Sequence, residues 1–296
     1  FSQGKGVFLV QGNLDKATAK QFLSTLSSTL ELSVTTNIPP HGRVLPLPAR
    51  TPTRLTISSP NPQNVNSVSV LSYQSLAVDP KSHACMNVLS KIVQEPYFDD
   101  LRTKQQLGYI VFSGSTSVYQ TTKLLFIVQS SVAPVETLTE KTLLFTDTIQ
   151  SKYLDTLSDD EFNTLKNGMF DKMTDRDKKL GDEMIRNWSE IETGELQFDR
   201  KQRTAQALLG LKKEDVVRFW NELSGDSERR VIISEIVPLI GDAASDASPS
   251  KTYGLFRNDE VEFTEQFETE NLTDSSEYPG ESRKGGMARI GIDDID

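Results

Sequence analysis

The sequence predicts an α+β fold, an antiparallel or mixed sheet with helices packed on one face. Three observations carry that expectation. Runs of β-branched and aromatic residues recur around Val68–Tyr73, Tyr109–Phe112, Leu124–Val128 and Val231–Ile233; several longer segments repeat apolar residues at helical spacing; and the order is strand, helix pair, two strands, several helices, strand, rather than a regular β–α alternation. With 296 residues and 36% apolar content the chain is long enough to bury a sizeable core.

Val7-Phe8-Leu9-Val10 reads as a short buried strand, and Gly12-Asn13 turn the chain into a helix striped by Phe22, Leu23, Leu26 and Leu30. Seven of the 13 prolines then fall between Pro39 and Pro62, which predicts an extended connector rather than a regular element. Val68, Val70 and Tyr73 among serines give a strand with one polar face. His83 to Gln94 carries Cys85, Val88, Leu89, Ile92 and Val93 at helical spacing, Pro96 is expected to end or kink that helix, and a short second helix follows through Phe98 and Leu101. Gly108 breaks this helix, Tyr109 to Phe112 extends as a strand, Ser113 to Thr122 is a polar turn, and Leu124 to Val128 returns as the hairpin partner. Helices are expected over Val135–Leu154, over Asp159–Met173 with Ser158 and Glu161 as a capping box, over Leu180–Glu192 and over Lys212–Leu223; Val231-Ile232-Ile233 supplies the last strand. By this pattern a strand, a helix and a proline-rich connector come first, a compact domain begins at about Val65, and the composition shifts to that of a tail at about residue 241.

That tail concentrates the charge. Residues 241–296 hold 14 acidic and 5 basic side chains of the 42 and 32 in the chain, so most of the formal net charge of −10 sits there and the rest is close to neutral. Few branched apolar residues accompany the acids, and such a segment cannot offset its ordering entropy, so disorder is expected. The near-neutral remainder argues against a nucleic-acid partner, and no run is apolar enough to predict a membrane span. Cys85 is the single cysteine, which excludes an intrachain disulfide and a cysteine-based zinc site and fits a reducing, cytoplasmic compartment. The start, Phe1-Ser2-Gln3-Gly4-Lys5, has neither an initiator Met nor a secretory apolar region, so the chain is expected to be a fragment or an incomplete gene product.

An inverted zincin needs two His a helical turn apart to hold zinc and a neighbouring Glu to activate water, the pattern H-x-x-E-H. The chain has only His41 and His83, and neither fits that pattern; surface or capping roles are expected for both. No G-x-S-x-G elbow, P-loop or dinucleotide fingerprint is present, and Asp159-Asp160-Glu161 is accounted for by a helix N-terminus. Taken by residue type alone, Arg102 is a solvated helix residue and Tyr109 a packed strand residue.

The run Leu101-Arg102-Thr103-Lys104-Gln105-Gln106-Leu107-Gly108-Tyr109-Ile110-Val111 changes that reading. It resembles a nearly identical run in the C-terminal half of the insulysin/nardilysin branch of the pitrilysin-type metallopeptidases. The likeness extends to Val10-Gln11-Gly12-Asn13, Glu95-Pro96, Phe198-Asp199-Arg200 and Leu211–Phe219, in family order over about residues 7–235. It implies a LuxS/pitrilysin-type lobe over 51–240, preceded by the end of the penultimate lobe over 1–50.

By the same resemblance, Arg102 and Tyr109 are the residues that reach a peptide substrate near its scissile bond. No metal ligand and no cofactor-binding residue of the chain is implied; zinc is expected in an N-terminal half, supplied by the same polypeptide or by a partner chain. The partners implied are that half and a peptide substrate, with a homodimer of the full enzyme also compatible. The chain then reads as the substrate-gripping, non-zinc C-terminal portion of a zinc metalloendopeptidase, inactive alone. The alternative is a non-catalytic subunit or truncated paralogue that binds peptide or stabilises a partner. The hairpin stretch Ser115–Tyr119 departs from the basic, glycine-containing turn of animal insulysins, so substrate preference does not carry over.

Overall fold

The structure, a computed structural model, describes residues 7–30, 44–119 and 121–239. Two compact units emerge: a larger one of Val44–Thr174 with 202–239, and a smaller one of 7–30 with Asp175–Lys201. The expectation of a disordered acidic tail, and any role for His41, lie outside the described residues.

The larger unit is built on five strands: β1 (Thr53–Ser58), β2 (Ser67–Ser75), β3 (Ile110–Val118), β4 (Thr121–Ser130) and β5 (Val231–Val237). Their spatial order is β1-β5-β2-β4-β3, with β1 parallel to β5 and every other pair antiparallel, so the sheet is mixed. Register puts Tyr73 opposite Leu124 and Val231, and Leu71 opposite Phe126 and Ile233, and the side chains of all six are buried. Over this face lie α2 (Pro80–Phe98), α3 (Val135–Asp147) and α7 (Lys213–Ser224), whose Val88, Leu89, Tyr97, Leu138, Phe145, Val216 and Trp220 fill the core. Phe162 of α4 (Asp159–Thr174) and Leu208 of α6 (Arg200–Leu209) join it.

Several buried polar groups are paired along this face, although the Ser113 and Thr122 hydroxyls have no hydrogen-bond partner among the described residues. Tyr97 shares a hydrogen bond with Thr142 at 3.1 Å, and Tyr73 donates to Thr146 at 3.1 Å, so α3 meets two phenols with threonine hydroxyls one helical turn apart. Burial pushes both phenols above their ordinary range. The Glu235 carboxylate, also buried, accepts from Thr56 and Thr139 at 2.7 Å each, and Arg54 lies 3.3 Å away. Because Thr139 gives its proton to Glu235, Ser69 is the donor in the 2.7 Å contact between Ser69 and Thr139.

The ordering of elements matches the sequence expectation, with several corrections of detail. Val7–Val10 is not a strand, and Val7 and Phe8 are exposed; an apolar run signals burial, but a strand also needs a neighbouring ladder, and none is formed with it among the described residues. The proline-rich connector contains β1, since Pro52 and Pro60 flank the strand and leave its N–H groups intact. The stretch before it is fastened rather than loose: Gln74 accepts from the Leu47 amide at 2.7 Å and donates to the Leu45 carbonyl at 3.1 Å, and Arg230 donates to the Leu47 carbonyl. Pro96 does not end α2, which runs on to Phe98 and into a π-helical turn, Asp99–Lys104, because Tyr97 and Leu101 are both fully buried and hold the helix to the core. Ser113–Val118 is strand rather than turn, its small polar residues alternating across the edge strand β3. α6 had no counterpart in the sequence reading, and His83, for which a surface or capping role was expected, is buried near the start of α2.

In the smaller unit, α1 (Lys16–Thr29) is capped by Asp15, which accepts from the Thr18 amide at 2.8 Å, yet none of its residues is buried. The second helix, α5 (Leu180–Glu192), leads into a turn tied by Arg200, which donates to Glu190 at 2.6 and 2.8 Å and also to Glu195.

Candidate functional site

Arg102 stands in the π-helical turn, four residues after Phe98 at the end of α2. Fully buried Leu101 fixes the turn from below, and the Leu107 amide closes it by donating to the Leu101 carbonyl at 2.9 Å. Gln106 takes a left-handed backbone conformation at φ 52°, which reverses the chain toward β3. At Gly108 the reversal runs so close to β4 that an added Cβ would stand 1.9 Å from the Gln129 carbonyl oxygen, so only glycine fits there. Tyr109 follows, 80% exposed, immediately before the first residue of β3.

This path brings the two sequence-predicted residues together. The Arg102 guanidinium carbon lies 4.7 Å from the centre of the Tyr109 ring and 5.1 Å from that of Phe98, and the guanidinium donates to the Tyr109 carbonyl. Arg102 has no carboxylate partner among the described residues, because the adjacent acids are engaged elsewhere: Asp99 pairs with Lys104 at 2.8 Å and Asp100 accepts from Gln105 at 3.2 Å. A guanidinium has five N–H donors, so most of its donors stay available beside an exposed phenol. Such an arrangement can hold a peptide carbonyl or stabilise an oxygen that gains negative charge. Phe98 was absent from the sequence reading of the site, although its i, i+4 spacing to Arg102 is the signal that would have found it.

The remaining candidates do not join this site. Cys85 is buried in α2, and burial, reinforced by the Asp215 carboxylate, pushes its thiol up to about 12, so it is an inert core residue. No group of three or more His, Cys, Asp and Glu residues that could hold a metal occurs among the described residues, and the lone buried His83 does not fit a zinc centre. A shallow cavity of about 340 Å³ lies between α2 and α4, lined by Ile92, Pro96, Tyr153, Leu157 and Leu165, and it does not include Arg102 or Tyr109. No helix among the described residues is long and apolar enough to cross a membrane.

Residues 88–188 match the family model described as PQQ synthase PqqF-like, C-terminal lobe domain 4. The chain matches the C-terminal lobe of the pitrilysin-family metallopeptidases. It is 32% identical over 165 residues to the insulin-degrading enzyme of Homo sapiens, covering 55% of this chain and 16% of that protein. To nardilysin of Mus musculus it is 28% identical over 228 residues, covering 76% of this chain and 20% of the relative. The chain therefore spans about a fifth or less of the length of these relatives. In fold, it superposes on the crystal structure of pitrilysin with a TM-score of 0.67 at 20% identity, covering 82% of this chain and 25% of that one. The mixed five-stranded sheet with its helices is similar in fold to such peptidase lobes, and the matched residues 88–188 include Phe98, Arg102 and Tyr109.

Proposed function

We propose that this chain is the substrate-gripping, non-zinc C-terminal portion of an insulysin-like zinc metalloendopeptidase that hydrolyses peptides, and that it is inactive alone. The supporting observation is the convergence of half-buried Arg102 and exposed Tyr109, seven residues apart, into one pair whose cation–ring distance is 4.7 Å. In this reading residues 51–240 form the last lobe, residues 1–50 finish the one before it, and the setting is cytoplasmic. In the same reading the zinc is held by a half carrying H-x-x-E-H, in the same polypeptide or a partner chain.

The role of the chain follows from its donors. The guanidinium lies over the ring of exposed Tyr109, so a peptide carbonyl docked against its N–H groups and the phenol would gain hydrogen bonds that strengthen as its oxygen takes up charge. A lysine at 102 would supply a point charge but not a planar fork.

The test is reconstitution with the zinc-bearing half, followed by peptide hydrolysis. Arg102→Ala and Tyr109→Phe are each expected to lower kcat by about a hundred- to a thousandfold, the cost of one lost donor to a developing oxyanion, with unchanged thermal midpoints. Wild-type turnover in both variants would sink the assignment. Peptide binding without turnover in the reconstituted wild type would make the chain a non-catalytic subunit instead.

A further inference from the structure

We infer that Phe98 is a positioning residue that orients the Arg102 guanidinium before any substrate arrives. Phe98 is an apolar residue at the end of α2, yet it stays 41% exposed while its neighbours Tyr97 and Leu101 are fully buried. Its ring is therefore not required to fill the core. What the ring does contact is Arg102, whose guanidinium carbon stands 5.1 Å from its centre.

The chemistry explains why a ring serves here better than an acid. A free arginine side chain carries large rotamer entropy, and one hydrogen bond to the Tyr109 carbonyl leaves it room to swing. A carboxylate would hold it but would occupy the N–H donors and neutralise the charge. An aromatic face attracts the cation through its quadrupole and consumes no donor. Asp99 and Asp100, the acids nearest in sequence, are turned to Lys104 and Gln105, so they do not compete for the guanidinium. The π-helical turn closes with the Gln105 amide on the Asp100 carbonyl at 3.0 Å, which keeps residues 98 and 102 in register.

The consequence for activity rests on the peptidase reading, but the positioning itself can be read without it. In the 296-residue chain labelled with ¹⁵N-arginine, the Arg102 Nε–H resonance, assigned by its loss in Arg102→Lys, is expected upfield of solvent-exposed arginines because of the two rings. Phe98→Leu should shift it toward the exposed position, and Phe98→Tyr should restore it, with both variants folded as judged by the remaining resonances; Phe98→Met gives a second ring-free variant should leucine disturb the fold. In the reconstituted enzyme, Phe98→Leu should lower kcat/KM about two- to fivefold, the equivalent of an exposed cation–π contact, and Phe98→Tyr should recover it. An Arg102 resonance that stays in place in Phe98→Leu overturns the inference. A resonance that moves while Arg102→Ala leaves turnover intact would instead uphold the positioning and overturn the peptidase reading.

Discussion

The two faces of the sheet use similar residues for opposite purposes. On the helix-covered face Leu71, Val111, Phe126 and Val128 are buried, whereas on the other face Leu55, Ile57, Ile110 and Phe112 remain exposed and Leu125 and Ile127 are half-buried. Neighbours on one strand, Val111 and Phe112 or Phe126 and Ile127, thus sit in different solvents. Side-chain type says that a residue prefers burial; only strand parity and the placing of helices say which residues obtain it.

The largest expected effect tests that difference directly. Phe126 packs its ring 5.0 Å from Tyr97 and 6.0 Å from Phe145, and its truncation leaves a cavity that these neighbours cannot close. Phe126→Ala should cost about 3–5 kcal/mol, whereas Phe112→Ala on the open face, where the ring is 46% exposed, should cost less than about 1 kcal/mol. Urea unfolding of the two variants gives the comparison, and equal losses would mean that the open face is covered by structure of its own.

A smaller effect distinguishes the Arg102–Tyr109 reversal from both faces. Gly108→Ala adds one methyl, but its Cβ meets the Gln129 backbone at 1.9 Å, and a backbone carbonyl cannot swing aside as a side chain can. The β3–β4 ladder must part near Ile110, at a cost of about 1–3 kcal/mol, and the approach of Tyr109 to Arg102 should loosen with it. Fast amide exchange at Ile110 and Val111 in the variant, with exchange at Leu71 unchanged, is the expected result; uniform exchange across both would refute a local effect.

What was legible in the sequence follows the same division. The buried halves of α2, α3, α4 and α7 repeat at helical period, and the capping box is present, with the Ser158 amide donating to Glu161 at 2.9 Å and the Glu161 amide to the Ser158 hydroxyl at 3.2 Å. Less legible were places where long-range pairing overrides local propensity. β1 is a strand because β5 lies beside it, β3 runs through Ser113–Val118 because β4 pairs with it throughout, and α2 continues through Pro96 because Tyr97 and Leu101 find the core. At the candidate site, the identities of Arg102 and Tyr109 came from the resemblance, and Gly108 was legible only as a break. The reason that break must be glycine, the nearby Gln129 carbonyl, is twenty-one residues away in sequence and invisible to any local pattern.

The smallest effect concerns how the covered face is held. Asp79 caps α2, accepting from the Lys81 amide at 3.0 Å and from the Ser82 amide at 3.1 Å and hydroxyl at 2.5 Å. Partial burial pushes its carboxyl up, but these donors, the Ser82 hydroxyl foremost, outweigh burial and hold it below the usual aspartate range. Asp215, beside Lys81 at 2.8 Å, is lowered in the same direction, chiefly by that ammonium group. A carboxyl depressed in the folded state contributes stability above its unfolded value of about 3.9 and loses it as pH falls through the lower folded value. Asp79→Ala should therefore cost about 1 kcal/mol near neutral pH, and the gap to the wild type should narrow as the pH drops below about 3.9. Asp79→Asn, whose side-chain carbonyl can cap but does not titrate, should lie near the wild type at neutral pH and gain on it in acid. Unfolding midpoints of the three proteins at both pH values decide the point, and a wild-type-to-alanine gap that does not change with pH would show that the cap acts through hydrogen-bond geometry alone, with no linkage to its charge.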